Sequence, residues 1–317
     1  MLTASGHARP RRSPLRKLVR VVFVLLAAAV VSVVALFAYV AKDLPNPKTI
    51  GQIRPTQSTK IYDRTGTILL YEVHGEQKRT VIPADRIPQS VKDATVAIED
   101  ANFYRHHGVD VRGILRAVWA NLRGGHISQG GSTITQQFIK KSLLTSSRTF
   151  GRKIKEMVLA IELEWAYSKN DILSFYLNQI PYGANAYGIE AAGQTYFGKP
   201  ANDLTLAEAA TLAALPQAPS YYSPYGNQPE ELLKRKDLVL TKMAEQGYIT
   251  DRERDAATAE QPTFQQRREA IAAPHFVFWI RSQLEERYGP EVIETGGLKV
   301  ITTLDMKLQE IGERVVR

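Results

Sequence analysis

Residues 21–41 form an uncharged, almost wholly apolar run of 21 positions bounded by Arg20 and Lys42. About 20 apolar residues cross a bilayer core as a helix. A secretory signal has a shorter apolar region of roughly 7–15 residues, so this run reads as a retained transmembrane helix. After it come Pro45, Pro47 and Pro55, a linker composition. Residues 58–62 and 68–73 are strand-like and flank the turn formers Asp63, Arg64, Thr65 and Gly66, which predicts a short β-hairpin. From Ser90 onward the period becomes helical. Ser90 is placed to cap a helix carrying Val91, Ala94, Val96, Ala97 and Ile98, with Glu99 at its C-terminal end.

Further helices are expected over 109–122, 132–144, 149–167, about 170–178, 205–214 and 228–246. The 149–167 helix shows Ile154, Val158, Ile161 and Trp165 at helical spacing. Thr205 and Glu208 form a capping box, and Gly247 stands in the usual place after a helix end. Thr250 and Glu253 open one more helix. Residues 258–272 are polar and read as a linker, followed by a helix over 275–288, a strand near 298–303 and a helix capped by Asp305. The expected class is mainly α. The expected division is a basic tail at 1–20, a membrane helix at 21–41, a linker and hairpin at 42–83, a helical domain at 84–257 and a linker at 258–317.

Charge adds a direction to this plan. The net charge is +9, and Arg9, Arg11, Arg12, Arg16, Lys17 and Arg20 supply six cations with no acid before the apolar run. The positive-inside rule then puts the N-terminus in the cytoplasm and the domain outside it, in a single-pass cell-membrane protein. The high pI is a property of the tail and makes no case for nucleic acid. No cysteine is present, which excludes disulfides and thiolate chemistry.

Three blocks carry candidate chemistry. The first holds Glu99, Asp100, Phe103, His106 and Gly108. A carboxylate at a helix C-terminus opposes the helix dipole, which marks Glu99 for a role. The histidines lack the i, i+4 pairing of a helical zinc site, so no metal site is expected. The second block runs from Gly131 through Ser132, Thr133, Gln136 and Gln137. Ser132 is a good N-cap, and Thr133, Gln136, Gln137 and Lys140 share a helical face that is either solvated or ligand-facing. The third contains Arg148, Arg152, Lys153 and Glu156. Arg152 and Glu156 suit an i, i+4 salt bridge, or an anion-binding stripe with one embedded acid.

Together these blocks resemble the family 51 glycosyltransferases, the peptidoglycan polymerases. That family's patterns E-D-x-x-F-x-x-H-x-G, G-x-S-T-x-x-Q-Q and R-K-x-x-E match the three blocks in order. Lys169 to Asn178 resembles its K-x-x-I-L-x-x-Y-L-N segment. The resemblance continues at Tyr196 to Lys199 and at Leu206 to Glu208. It implies a lysozyme-like glycosyltransferase domain with a small membrane-proximal jaw lobe, acting on lipid II and a polyprenyl-pyrophosphate-linked glycan. Glu99 and Glu156 are then the candidate catalytic residues. The candidate substrate-binding residues are Asp100, Phe103, His106, Ser132, Thr133, Gln136, Gln137, Lys140, Arg148, Arg152, Lys153 and Asn178.

The reaction implied is inverting transfer, with Glu99 as general base toward the acceptor 4-hydroxyl. Lys140, Arg148 and Arg152 would neutralise the departing pyrophosphate. No cofactor motif is present, although a divalent cation (Mg or Mn) is compatible with such a leaving group. Apolar residues among the cations of 112–123 and 138–150 suit an anionic membrane surface, and other cell-wall synthesis proteins are compatible partners. Residues 296–305 look like the connector that precedes the transpeptidase domain of class A penicillin-binding proteins. That domain's Ser-x-x-Lys and Lys-Thr-Gly signatures are not found here, so a bifunctional enzyme lacking its second domain is expected. Two rivals remain, a glycan hydrolase using paired carboxylates and a non-catalytic scaffold.

Overall fold

The computed structural model describes residues 20–25, 27–28, 31, 56–73, 77–124, 131–143, 149–226, 228–265 and 271–316. Residues 20–25 are helical, but most of the expected membrane helix lies outside the described residues, as does Arg148. Among the described residues no helix is long and apolar enough to cross a membrane. The described chain is mainly α, as its period predicts.

The larger body is built from helices α1 (Gln89–Glu99), α2 (Val111–Gly124), α3 (Ile134–Ser142), α4 (Phe150–Ala166), α5 (Lys169–Gln179), α6 (Ile189–Phe197), α7 (Leu206–Ala214), α8 (Pro229–Glu245) and α9 (Asp251–Ala259). Helix α7 is buried from Ala207 to Ala214 and packs on α1 and α8. Its sequence explains this. Ala207, Ala209, Ala210, Ala213 and Ala214 present small side chains all round, so neighbouring helices approach closely without leaving voids. Thr205 and Glu208 close the expected capping box at its start. Helix α3 packs separately on α4 and α5. One continuous core joins these groups, from Ile87 and Val91 through Ile139, Leu163 and Tyr176 to Leu240 and Met243.

The hairpin strands β1 (Thr59–Tyr62) and β2 (Leu69–Val73) are antiparallel, as expected. Asp63 fixes their turn by accepting from Thr65 Oγ1 at 2.7 Å and from the Ile68 amide at 3.2 Å. A small sheet on the larger body joins β3 (Lys78–Arg79), β5 (Ala186–Tyr187) and β4 (Pro181–Gly183), in that order. The C-terminal elements are α10 (Pro274–Tyr288), α11 (Pro290–Thr295), β6 (Lys299–Ile301) and α12 (Met306–Val316).

Several expectations need correction. The hairpin of the expected 42–83 segment and the C-terminal part of the expected 258–317 linker come together. Strand β6 pairs in parallel with β1, and Ile61, Leu70, Val73, Val277 and Ile293 form a second small core. A parallel pair so distant in sequence leaves no local signature. The polar stretch 258–272 is partly docked, since Phe264 stacks on Phe197 at 5.5 Å and the Gln265 amide donates to Tyr196 O at 2.8 Å. Helix α1 begins two residues early, with Pro88 rather than Ser90 before its first turn, and no side-chain cap. Helix α4 buries Glu156, Leu159, Ala160 and Leu163, so Trp165 falls on the other side and is 80% exposed. Helix α6 lies between Gly188 and Gly198 and shows no clear polar face, which hides it from a periodicity reading.

Lys236 on α8 is only 2% exposed, and its ammonium donates to the carbonyls of Ala257, Thr258 and Glu260 at 3.1–3.4 Å. It thereby satisfies the end of α9, where carbonyls lack intrahelical partners. Lys236→Met should destabilise the protein by about 1–3 kcal/mol, measured by thermal or denaturant unfolding, because buried acceptors lose their donor.

Candidate active site

The end of α1 and the start of α3 meet through Asp100. Its Oδ2 accepts from the Ile134 amide at 3.0 Å and lies 2.9 Å from His106 Nε2. The first amides of a helix have no intrahelical acceptor and favour an anion, so this carboxylate suits the start of α3. A second tie runs from Thr133 Oγ1, which donates to Gly108 O at 2.6 Å. Gly108 has φ +87°, and a Cβ there would meet Ala160 O at 2.6 Å, which explains the glycine. Thr133, not Ser132, caps α3, and Thr133 and Gln136 exchange the two bonds of a capping box.

These ties turn the side chains of the three blocks in different directions. Glu99, Ser132, Gln137, Lys140 and Glu156 line one cleft of about 330 Å³, with Lys141, Pro216, Gln217 and Arg235. Asp100, Phe103, Thr133 and Gln136 are buried behind that wall, and the His106 side chain is only 7% exposed. Asn178 is likewise buried and exchanges both bonds with the Ile82 backbone, at 3.0 Å each. Expected as substrate contacts, these six residues are packed behind the cleft wall: Asp100, Thr133 and Asn178 give polar groups to helix ends and backbone, while His106 Nδ1 and Gln136 Nε2 have no partner among the described residues. Phe103 is also covered by the Lys169 ammonium, 4.5 Å from its ring centroid.

Within the cleft the two glutamates differ. Glu99 Oε2 accepts from Gln137 Nε2 at 2.7 Å, and its buried Oε1 has no hydrogen-bond partner among the described residues. Burial raises the Glu99 pKa above the usual glutamate range, against the lowering effects of Gln137 and Arg235. Glu156 is 1% exposed and faces cations with both oxygens. Oε1 accepts from Lys153, and Oε2 lies 3.7 Å from Arg152 Nη1. Lys153 also donates to Ser132 Oγ at 2.9 Å. The Arg152–Glu156 bridge expected from spacing is therefore present, with Lys153 as a closer partner. Lys141 is held below the usual lysine range, first by partial desolvation and then by the Lys140 charge.

The sequence reading missed Arg235, Lys141 and Gln217. Arg235 stands in a Lys-Arg-Lys run on α8 that has the look of a solvated face. In the fold its Nε donates to Ala214 O at 3.0 Å, and its guanidinium lies 5.2 Å from the Tyr222 ring centroid. No local pattern indicates that this helix closes the cleft 136 positions after Glu99.

A family model described as transglycosylase matches residues 66–244, more than half of the chain. The chain belongs to the transglycosylase family. Glu99, Gln137, Lys140, Glu156 and Arg235 all fall inside this transglycosylase domain. Penicillin-binding protein 1A of Aquifex aeolicus is 42% identical over 300 residues, covering 95% of this chain and 41% of that protein. The protein of the same name from Escherichia coli is 38% identical over 296 residues, covering 93% of this chain and 34% of its own length. That of Neisseria flavescens is 40% identical over 295 residues, covering 92% and 36%. The chain thus spans well under half the length of these relatives. The crystal structure of penicillin-binding protein 1A from Haemophilus influenzae, at 29% identity, aligns with a TM-score of 0.46 over 83% of this chain and 29% of that one.

The raised Glu99 pKa has a consequence for stability. The native state holds this proton more tightly than the unfolded chain does. Between the unfolded and folded pKa values, stability therefore falls as pH rises, and above both the ionised carboxylate is a net cost. Glu99→Gln should raise the melting temperature at pH 7–8. The advantage should shrink as pH falls from the raised folded value toward about 4.3, the ordinary glutamate value, and be gone below it, when unfolding is followed across the pH range.

Proposed function

We propose that this transglycosylase domain polymerises lipid II, transferring a glycan from a polyprenyl-pyrophosphate-linked donor to the 4-hydroxyl of an acceptor lipid II with inversion. The observation that carries this reading is the pairing, in one cleft, of a desolvated carboxylate with a free oxygen and a wall of cations. A neutral glycan needs no such wall, which speaks against the hydrolase reading. A pyrophosphate leaving group does need it.

In this reading Glu99 Oε1 takes the proton of the acceptor hydroxyl as its oxygen bonds to the donor anomeric carbon. The bond from that carbon to the pyrophosphate breaks, and its electron pair leaves with the phosphate. A general base with a raised pKa is a stronger proton acceptor, and such groups contribute about 10²–10⁴-fold. Lys140, Lys141, Arg152 and Lys153 meet the charge that grows on the leaving group, worth most where the cations are already in place. Arg148 joins them on the strength of its spacing alone. Glu156 orients Arg152 and Lys153 rather than donating a proton, since both its oxygens face cations. With that carboxylate occupied by Lys153 and Arg152, charge neutralisation is assigned to side chains.

We further infer an anchor at residues 21–41 with the domain outside the cytoplasm, supported by the apolar run and the cations before it. The exposed row Val111, Leu115 and Trp119 on α2, at 63–69% exposure and flanked by Arg112 and Arg116, suits contact with an anionic lipid surface.

Incorporation of radiolabelled lipid II by the purified full chain tests the activity. Glu99→Gln should lower it by at least about 10²-fold, and Lys140→Ala by about 10-fold or more. Near-parent turnover by Glu99→Gln would remove the base assignment. Release of fragments from preformed glycan, without lipid II, would restore the hydrolase.

A further inference from the structure

Glu99 is reached from the interior by a chain of two hydrogen bonds. Tyr176 on α5 is fully buried, and its hydroxyl donates to Gln137 Oε1 at 3.2 Å. The same amide, from its other end, donates Nε2 to Glu99 Oε2 at 2.7 Å. An amide has one accepting and one donating end. The ionised carboxylate only accepts, so it takes the donating end, and the accepting end is held by the Tyr176 hydroxyl. Turned over, the amide would present an oxygen to a carboxylate oxygen, a repulsive contact. Only Oε2 of Glu99 is engaged in this way, and Oε1 is left without a partner among the described residues.

We propose that Tyr176 is a positioning residue that acts through Gln137 to hold the Glu99 carboxylate with Oε2 occupied and the buried Oε1 left uncommitted for the acceptor hydroxyl. The proposal rests on the general-base reading of Glu99 for its functional meaning, but not for its geometry. Tyr176 contacts no substrate in this arrangement. Its phenol is suited to the task, since burial first and the Glu99 charge second push its pKa well up and keep it a donor at any working pH.

The groups that set the Glu99 titration come from several elements. Gln137 and Arg235 favour its charged form, from α3 and α8, while Asp100 beside it opposes it. Tyr176 and Tyr182, from α5 and β4, sense the Glu99 charge in turn. Across the cleft stand Lys140, Lys141 and Glu156. Loss of the Tyr176 hydroxyl leaves Gln137 Oε1 without its donor and the amide less firmly held, weakening a bond that stabilises the carboxylate, so the Glu99 midpoint should move up. A purely structural tyrosine would change stability and leave that midpoint where it is.

The test is a carboxyl-carbon NMR titration of the full chain in detergent micelles, with Glu99 assigned by the signal lost in Glu99→Gln. Tyr176→Phe keeps the buried ring and should raise the midpoint. Gln137→Met should raise it further, and the double variant should match Gln137→Met alone, since Tyr176 acts only through the amide. An unmoved midpoint in Tyr176→Phe overturns the proposal, as does an equal shift from Tyr176→Phe in the Gln137→Met background. If Tyr176→Phe fails to fold, Gln137→Met still decides, because no rise there breaks the chain at its second bond. In lipid II polymerisation, Tyr176→Phe should lower kcat about 5-fold, the size of one net hydrogen bond, with little change in KM and an acid limb that follows the midpoint. A midpoint that moves while the acid limb stays would leave the positioning intact and remove Glu99 as the base.

Discussion

The joint at Asp100 is the constraint on which the rest of the site depends. One carboxylate oxygen serves the first amide of α3 and the His106 ring, and so fixes where α1 stops and α3 starts. Glu99 precedes that joint by one residue, and Gln137 follows the start of α3 by one turn. Their 2.7 Å contact is therefore set by the backbone junction, not by two flexible side chains finding each other. Thr133 reinforces the junction from the other side by reaching back to Gly108. In a low-dielectric interior such bonds are strong when complete and costly when broken. That accounts for the number of polar residues buried behind the cleft.

On the face of the cleft the same economy separates two carboxylates by environment. Glu99 lies in a desolvated position with one neutral amide donor, which makes it a better proton acceptor. Glu156 is more fully buried, at 1% exposure, and is embedded among cations. Two glutamates, on α1 and α4, thus meet different environments without any difference in side-chain chemistry. Leaving Glu99 underpaired costs stability, and a site that needs a reactive group tolerates such a cost.

Most of the helical plan was legible in the sequence, because caps and periods are local. Thr205 with Glu208, Thr250 with Glu253 and Gly247 stand where they were expected. The candidate residues were legible as a set but not in their division. Asp100, Phe103, His106, Thr133, Gln136 and Asn178 share the motifs of Glu99 and Gln137, and nothing in spacing distinguishes a residue that lines the cleft from one that supports it. Ser132 and Thr133 show the limit at one-residue scale. Either suits an N-cap, and the tertiary bond to Gly108 accompanies the choice of Thr133. Arg235 and the β1–β6 pair were illegible for a simpler reason, since both depend on contacts between segments far apart in the chain.

The central claim is that the motif residues divide into a cleft that touches substrate and a scaffold that does not. A crystal structure of the full chain with a non-reactive disaccharide lipid pyrophosphate would test it most directly. The account predicts phosphate oxygens within hydrogen-bond distance of Lys140 and of Arg152 or Lys153, a sugar hydroxyl on Glu99 Oε1, and no ligand atom on Asp100, His106 or Asn178. Phosphates seated on Asp100's partners, or a reacting hydroxyl nearer Glu156 than Glu99, would contradict it.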